Sequence, residues 1–187
     1  MGVNTKRDRL ALDFTFTQFI DLTRILSNEQ NNSGNKSIFD RFCYDILPQI
    51  QHNIECLTLD SLSIDRVLYI GSYPKLHKHT LVNLSLDMAS HIFNNCSSFV
   101  QIFKYQILHL TITIHEDRSS EHKQKLSTNV FVIIFTMFMN LIYLHFGLND
   151  NLFYSTTSLI DLLSATYYPS NIVHFNVRVC GFDDCLR

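Results

Sequence analysis

Five segments of the chain share one arrangement of apolar and polar positions. Each begins with an apolar residue and has two further apolar positions, three and five residues later, with variable residues between them. The segments are residues 54–59 (IECLTL), 76–81 (LHKHTL), 107–112 (ILHLTI), 141–146 (LIYLHF) and 172–177 (IVHFNV). Their starts are 22, 31, 34 and 31 residues apart, and a polar residue precedes each one. Recurrence at such intervals is typical of a repeat fold.

The spacing within each segment predicts a short β-strand. Alternate residues of a strand face the same side, so the second and third apolar positions point into a core and the variable residues point outward. We predict strands near residues 54–60, 76–82, 107–114, 141–147 and 172–178. The stretches between them look helical or turn-like, with Asp65 and Asp87 as predicted N-caps of two helices. The expected fold class is α/β, an irregular solenoid of short parallel strands alternating with helices, incomplete at the C-terminus.

The N-terminal part lacks a clear copy of this pattern. We predict a helical or capping region over residues 1–50, with a degenerate repeat at residues 10–14 (LALDF), and the solenoid over residues 51–187. Two apolar runs, residues 16–26 and 38–47, are expected to be helices separated by a polar linker at residues 27–37. A second polar segment, residues 115–125, is expected to be a solvated insertion between repeats.

An uncharged run from Val130 to Leu148 raises a different possibility. Its length is close to the roughly 20 residues that a helix needs to cross a bilayer. However, residues 141–146 keep the repeat register, and Asn140 stands in the polar position that precedes each strand. We therefore favour a helix over residues 128–139 followed by a strand and a turn over residues 140–148. A single-pass membrane protein with a span at about 130–148 is the alternative.

The repeats resemble leucine-rich repeats, whose pattern is L-x-x-L-x-L-x-x-N/C. The last two segments match furthest, through Leu141, Leu144, Phe146 and Asn149, and through Ile172, Phe175, Val177 and Cys180. The sequences of residues 47–86 and 177–186 also resemble stretches of a large family of F-box proteins. The departures are His79 at a core Leu position, and Leu62, Leu84 and His115 in place of the usual Asn or Cys.

This resemblance implies the substrate-binding repeat domain of a ubiquitin ligase receptor. The F-box itself is not seen: the phrase at Leu47 (LPQIQHN) lacks the expected Glu and continues into a predicted strand. Contact with the Skp1–cullin adaptor is therefore expected only if an F-box exists outside this chain. A truncated fragment without independent function is a further alternative.

The outward positions of the strands form the candidate binding site. When the repeats are aligned, the outward residues fall into two columns, which would be stripes on the concave face of a solenoid. The candidate protein-binding residues are Lys78, Thr80, His109, Thr111, Tyr143, His145, His174 and Asn176. Polar, aromatic and titratable side chains suit a protein interface. The competing interpretation is a solvated sheet face without a partner.

Composition narrows the remaining function classes. The chain is 46% hydrophobic and 17% charged with a formal charge of −2, so no basic field indicates nucleic acid. The five cysteines form no C-x-x-C pair, the nine histidines fall in no metal-site spacing, and no catalytic motif occurs. We expect neither an enzyme nor a cofactor or metal site. The N-terminus has no apolar signal region, so we expect an intracellular protein of the cytoplasm or nucleus.

Overall fold

A parallel β-sheet organises the chain. The structure is a computed structural model that describes residues 17–23, 38–115, 121–148 and 171–178. Six strands form one parallel sheet, and they follow one another across it in chain order. The strands are β1 (Phe19–Asp21), β2 (Cys56–Asp60), β3 (Lys78–Leu84), β4 (His109–Ile114), β5 (Tyr143–Leu148) and β6 (His174–Arg178).

Helical segments connect the strands. A π-helical turn at Phe42–Ile46 leads into α1 (Leu47–Ile50) and a 3₁₀ turn (Gln51–Asn53) ahead of β2. The later helices are α2 (Ile64–Ile70), α3 (Leu86–Ile92), α4 (Ser98–Phe103) and α5 (Glu121–Met137). Strands and helices therefore alternate, which confirms the predicted α/β class. Parallel neighbours require such crossover connections, because a hairpin turn joins only antiparallel strands.

The apolar spacing in the sequence corresponds directly to burial. The strands β2 to β6 each begin two residues after the first apolar position of a repeat segment. In β4, buried and half-buried side chains alternate strictly along the strand. Its inward residues Leu110 and Ile112, like Leu144 and Phe146 of β5, have no solvent exposure. The predicted inward and outward positions of β2 to β5 are therefore the observed ones, whereas Phe175, a predicted inward residue of β6, is 39% exposed.

The prediction of a helix over residues 16–26 is wrong. Residues 19–21 form β1, which pairs in parallel with β2 so that Ile20 lies opposite Leu57. Thr17 and Leu22 take the first and third apolar positions of a repeat, and each is 1% exposed. A threonine at the first position concealed this copy from the apolar pattern. The degenerate repeat predicted at residues 10–14 lies outside the described residues.

The uncharged run from Val130 to Leu148 is not one helix. Helix α5 ends at Met137, and β5 begins at Tyr143. Within the described ranges, no helix combines the length and the apolar character needed to cross a membrane. The start of α5 at Glu121 also corrects the prediction of a solvated insertion over residues 115–125, because the second half of that segment is helical.

The two predicted aspartate caps are also wrong, each by two residues. Helix α3 begins after Ser85, whose hydroxyl oxygen accepts a hydrogen bond from the Met88 amide at 3.2 Å. Asp87 lies within the first turn of that helix instead. Helix α2 begins after Ser63, and Asp65 is its second residue. Serine in extended backbone just before a helix is a preferred cap, which explains the choice at α3.

The chain divides into two compact units, Met1–Thr80 and Leu81–Arg187. In the first unit, the helical segment before β2 buries Phe39, Cys43 and Leu47. In the second, Phe93, Phe99, Phe103 and Phe138 form an aromatic cluster with ring centroids 5.2–6.1 Å apart. The predicted domain boundary near residue 50 stays a prediction.

Candidate protein-binding face

The outward residues of β4, β5 and β6 line up across the strands. In the pairing register, His109 lies opposite Tyr143 and Tyr143 lies opposite His174. The second column consists of Thr111, His145 and Asn176 in the same register. This is the alignment that the repeats predict. Parallel strands bring equivalent repeat positions side by side, so residues more than 30 positions apart in sequence become neighbours.

The first column is a row of three rings, which we call the ring ladder: His109, Tyr143 and His174. The His109 and Tyr143 ring centroids are 5.7 Å apart with an interplanar angle of 25°, which is a stacked arrangement. The Tyr143 and His174 centroids are 6.3 Å apart with the planes tilted by 49°. Adjacent strands are about 4.8 Å apart, so side chains on neighbouring strands can make such contacts. The sequence placed these residues in one column but did not reveal the ring contacts.

A glycine, Gly147, lies beside the second column. Gly147 follows His145 by two positions on β5, and it lies opposite Thr113. A Cβ atom at residue 147 would be 3.3 Å from the Thr113 Cγ2 atom and 3.5 Å from the His145 Nε2 atom. Only the Thr113 contact is tight, so glycine leaves space for the Thr113 methyl group beside the His145 ring. No motif in the sequence indicated this role.

The side chains of the two columns are accessible to solvent. His109, Thr111, Tyr143 and His145 are half-buried, whereas His174 and Asn176 are exposed. The alternate residues of β4 and β5 are fully buried, as Leu110 and Leu144 illustrate, whereas Phe175 of β6 is exposed. The sheet thus presents polar and aromatic groups on a rigid apolar base, which suits recognition of a partner surface.

The first unit carries the remaining candidates, Lys78 and Thr80. They line a hollow of about 220 Å³, which is smaller than the roughly 300 Å³ at which small-molecule sites begin. The other lining residues are Phe19, Ile20, Asp21, Cys56, Leu57 and Thr58. Burial raises the pKa of the Cys56 thiol, against the opposing effect of the Lys78 charge. The hollow therefore has the size of a side-chain pocket and contains a thiol that favours its neutral form.

A hydrogen-bond motif recurs where the strands begin. At the starts of β2, β3, β5 and β6, two consecutive backbone amides donate to one carbonyl oxygen of the preceding strand segment, at 2.8–3.1 Å. The accepting residues are Gln18, Glu55, Leu108 and Ile142. The same local geometry at each of these positions indicates a repeated structural unit.

Two of the polar residues that precede the repeats of the second unit, Asn140 and Asn171, also have a structural role. The side-chain amide of Asn140 donates to the carbonyl oxygen of Tyr105 at 2.5 Å. In the next repeat, the side-chain amide of Asn171 donates to the carbonyl oxygen of Met139 at 2.9 Å. Tyr105 and Met139 occupy equivalent places, two residues before the first apolar position of their segments. Each asparagine therefore forms a hydrogen bond that links its repeat to the preceding one.

Two buried titratable groups lie away from this face. His79 has no solvent exposure, and burial lowers its pKa to about 3, against a smaller opposite effect from the Thr80 backbone. Burial also raises the pKa of the Cys43 thiol to about 11. Among the residues that the structure describes, no cluster of three His, Cys, Asp or Glu side chains could hold a metal ion. Cys180 and Cys185 lie outside the described residues.

Comparisons of the chain with protein-family models, curated proteins and solved structures find no match. The resemblance to F-box leucine-rich-repeat proteins therefore remains a prediction, based on the register and phrasing of the sequence. What the structure adds is the parallel sheet, the alignment of outward side chains and the recurring hydrogen bonds between repeats.

Proposed function

We propose that this chain is a leucine-rich-repeat-like solenoid whose outward sheet face recognises a protein partner without catalysis. The observation that carries this proposal is the ring ladder, three rings in register on a half-buried surface. Tyrosine is enriched at the energetic centres of protein interfaces, because its ring supplies contact area and its hydroxyl a hydrogen bond. The face offers both on a rigid support.

The repeat geometry supports the solenoid part of the proposal. In a solenoid each unit contacts its neighbours in chain order, and stacking buries the apolar edge of each unit. The six strands follow chain order across the sheet, and paired amides begin four of them in the same way. The asparagine contacts from Asn140 and Asn171 add a side-chain link that recurs from one repeat to the next.

By resemblance, the partner would be a substrate of a ubiquitin ligase. In that case the chain supplies the receptor surface, and the Skp1–cullin adaptor binds only if an F-box exists outside this chain. Purified Skp1 mixed with this chain is then expected not to co-elute in size-exclusion chromatography. Stable co-elution would contradict the division of roles proposed here.

Site-specific photo-crosslinking tests the recognition surface directly. A benzoylphenylalanine in place of Tyr143 keeps an aromatic ring in the ladder, and the same residue in place of exposed Tyr44 serves as the matched control. We expect a discrete crosslinked partner in cells from position 143 and none from position 44. Adding His145→Ala and His174→Ala should remove that product while the circular dichroism spectrum stays the same.

The crosslinking result is decisive in both directions. If positions 143 and 44 give the same products, or if position 143 gives none, the outward face is not the recognition surface. If the product at position 143 survives the two histidine substitutions, the neighbouring side chains do not contribute to binding. Only the first outcome would favour the interpretation of the face as an ordinary solvated sheet surface; the second would leave the face as a contact surface and exclude a role for the two histidines.

A further inference from the structure

We infer that the hollow on β1, β2 and β3 holds one carboxylate side chain, Asp or Glu, of a protein partner, with Lys78 as its counter-charge. The hollow consists only of residues of the first unit, so it is a second site in addition to the ring ladder of the second unit. The inference rests on the proposed function in one respect, because it takes a protein as the source of the ligand.

The hydrogen bonds at the strand starts place Lys78 at the hollow. The successive amides of His77 and Lys78 both donate to the Glu55 carbonyl oxygen at 3.1 Å. The equivalent pair of bonds one repeat earlier sets Cys56 opposite Phe19, so Lys78 lies beside Cys56 on the next strand. Burial raises the pKa of the Cys56 thiol and the Lys78 charge opposes this effect, which agrees with an ammonium group close to the thiol.

The Lys78 ammonium determines the sign of the ligand. It is exposed, and within the part of the chain that the structure describes no carboxylate forms an ion pair with it. An ammonium group only donates hydrogen bonds, and its bonds to an ionised acceptor are roughly twice as strong as neutral ones. The hydroxyls of Thr58 and Thr80, which also line the hollow, donate or accept and so add hydrogen bonds to either kind of ligand.

Two carboxylates near the hollow already accept hydrogen bonds from neighbouring residues. The Glu55 Oε1 atom accepts from the Gln18 Nε2 atom at 3.1 Å. The Asp21 Oδ1 atom accepts from the Thr23 amide at 3.0 Å and from the Thr23 hydroxyl at 2.7 Å. Asp21 is on β1, two strand spacings or about 10 Å from the backbone of Lys78 on β3. A ligand carboxylate therefore lies at the β2 and β3 side of the hollow, where Asp21 acts only as a distant like charge.

The size and the charge of the hollow favour a carboxylate over other charged groups. Its volume of about 220 Å³ holds one side chain. One ammonium group balances the single negative charge of a carboxylate, whereas a phosphate group carries close to two charges at neutral pH and would keep one of them unbalanced. A cationic side chain would meet Asp21 as an acceptor but would be repelled by Lys78, which lines the same hollow.

An NMR titration of the isotope-labelled chain with N-acetylglutamic acid α-methylamide tests the inference, because this probe carries one side-chain carboxylate. We expect saturable shifts of the Thr58 and Thr80 amide signals. The glutamine analogue should bind at least about tenfold more weakly, because it lacks the charge-assisted hydrogen bond. Equal binding of the glutamine analogue would overturn the inference, as would tighter binding of the lysine analogue or of inorganic phosphate, or the absence of saturable shifts.

Protein variants locate the ligand within the hollow. Lys78→Gln should weaken binding of the glutamate probe about tenfold or more. Lys75→Gln is the matched control, because it removes an exposed charge that does not line the hollow. Asp21→Asn keeps the oxygen that accepts from Thr23 and removes a like charge about 10 Å away, so binding should become about twofold tighter. Unchanged binding by Lys78→Gln, or weaker binding by Asp21→Asn, would contradict the inference, and the NMR spectrum of each variant shows whether it is folded.

The two proposals fail in different ways. If crosslinking from position 143 captures a partner while the glutamate probe does not bind to the hollow, the proposed function stands and the carboxylate site is wrong. If the probe binds while position 143 captures nothing, the hollow holds a carboxylate and the ring ladder is not a recognition surface.

Discussion

Replacing His79 by leucine should remove much of the acid sensitivity of the fold. His79 occupies the second apolar position of its repeat, where the equivalent residues are Leu57, Leu110 and Leu144. It has no solvent exposure, and its ring is therefore neutral in the folded chain at neutral pH. Protonation would place a charge in an apolar interior, which is the physical reason that its pKa falls to about 3.

The size of the effect follows from the two pKa values. The ordinary value for histidine is 6.5, and the folded value is about 3. Above pH 6.5 both states are neutral and His79 carries no penalty. Below pH 6.5, His79 binds a proton in the unfolded chain but not in the folded chain. The free energy of unfolding therefore falls by about 1.4 kcal/mol for each pH unit down to pH 3. At pH 4.5, two units below 6.5, the loss is about 3 kcal/mol.

Urea unfolding at pH 7.5 and pH 4.5 measures this loss. Carboxylates also titrate in this window, but they contribute equally to the original chain and to His79→Leu. The pH-dependent loss should therefore be smaller in His79→Leu by about 3 kcal/mol. His52→Ala serves as the control, because it removes an exposed imidazole and leaves the core intact. An equal pH dependence in His79→Leu and the original chain would refute this account of His79.

Three further predictions test other parts of the structure. Asn140→Ala should lower the free energy of unfolding by about 0.5–1.5 kcal/mol in urea titrations, because it loses its bond to the preceding repeat, whereas Asn95→Ala should not. Gly147→Val should lower the free energy of unfolding by about 1–3 kcal/mol, since a Cβ atom at residue 147 already lies 3.3 Å from the Thr113 Cγ2 atom; an unchanged midpoint would contradict this. Iodoacetamide should modify exposed Cys96 before buried Cys43 in mass spectra of the folded chain; equal rates would contradict the burial of Cys43.

The strand positions were predictable because burial imposes a simple pattern on a repeat. Each strand needs two inward apolar residues at alternate positions, and the residue at the first position packs beneath the strand start. Ile107, Leu110 and Ile112 show this, as all three lack solvent exposure. The outward columns were predictable for a related reason. Parallel strands with equivalent starts pair in equivalent register, so alignment of the repeats already identifies spatial neighbours.

The features that the sequence did not predict also have physical explanations. The first strand was not predicted because the buried Thr17 occupies the first position of its repeat, and a polar residue does not match the apolar pattern. The start of α5 at Glu121 was missed because polar residues are compatible with an exposed helical turn as well as with a loop. The contacts of Asn140 and Gly147 depend on the approach of a neighbouring repeat, which local sequence does not encode.

Energetic considerations separate the two interpretations of the outward face. Cross-strand aromatic pairs contribute about 0.2–1 kcal/mol each, so the two ring contacts in the ladder stabilise the sheet by roughly 2 kcal/mol at most. Truncating one inward leucine such as Leu144 costs about 2–5 kcal/mol, as much as the whole ladder or more. Folding therefore constrains the inward positions strongly and the outward ones weakly. A purely solvated face would be served equally well by threonine, which already occupies positions 58, 80, 111 and 113. Three rings in one register are more than the stability of the sheet requires, and recognition of a partner supplies a reason for them.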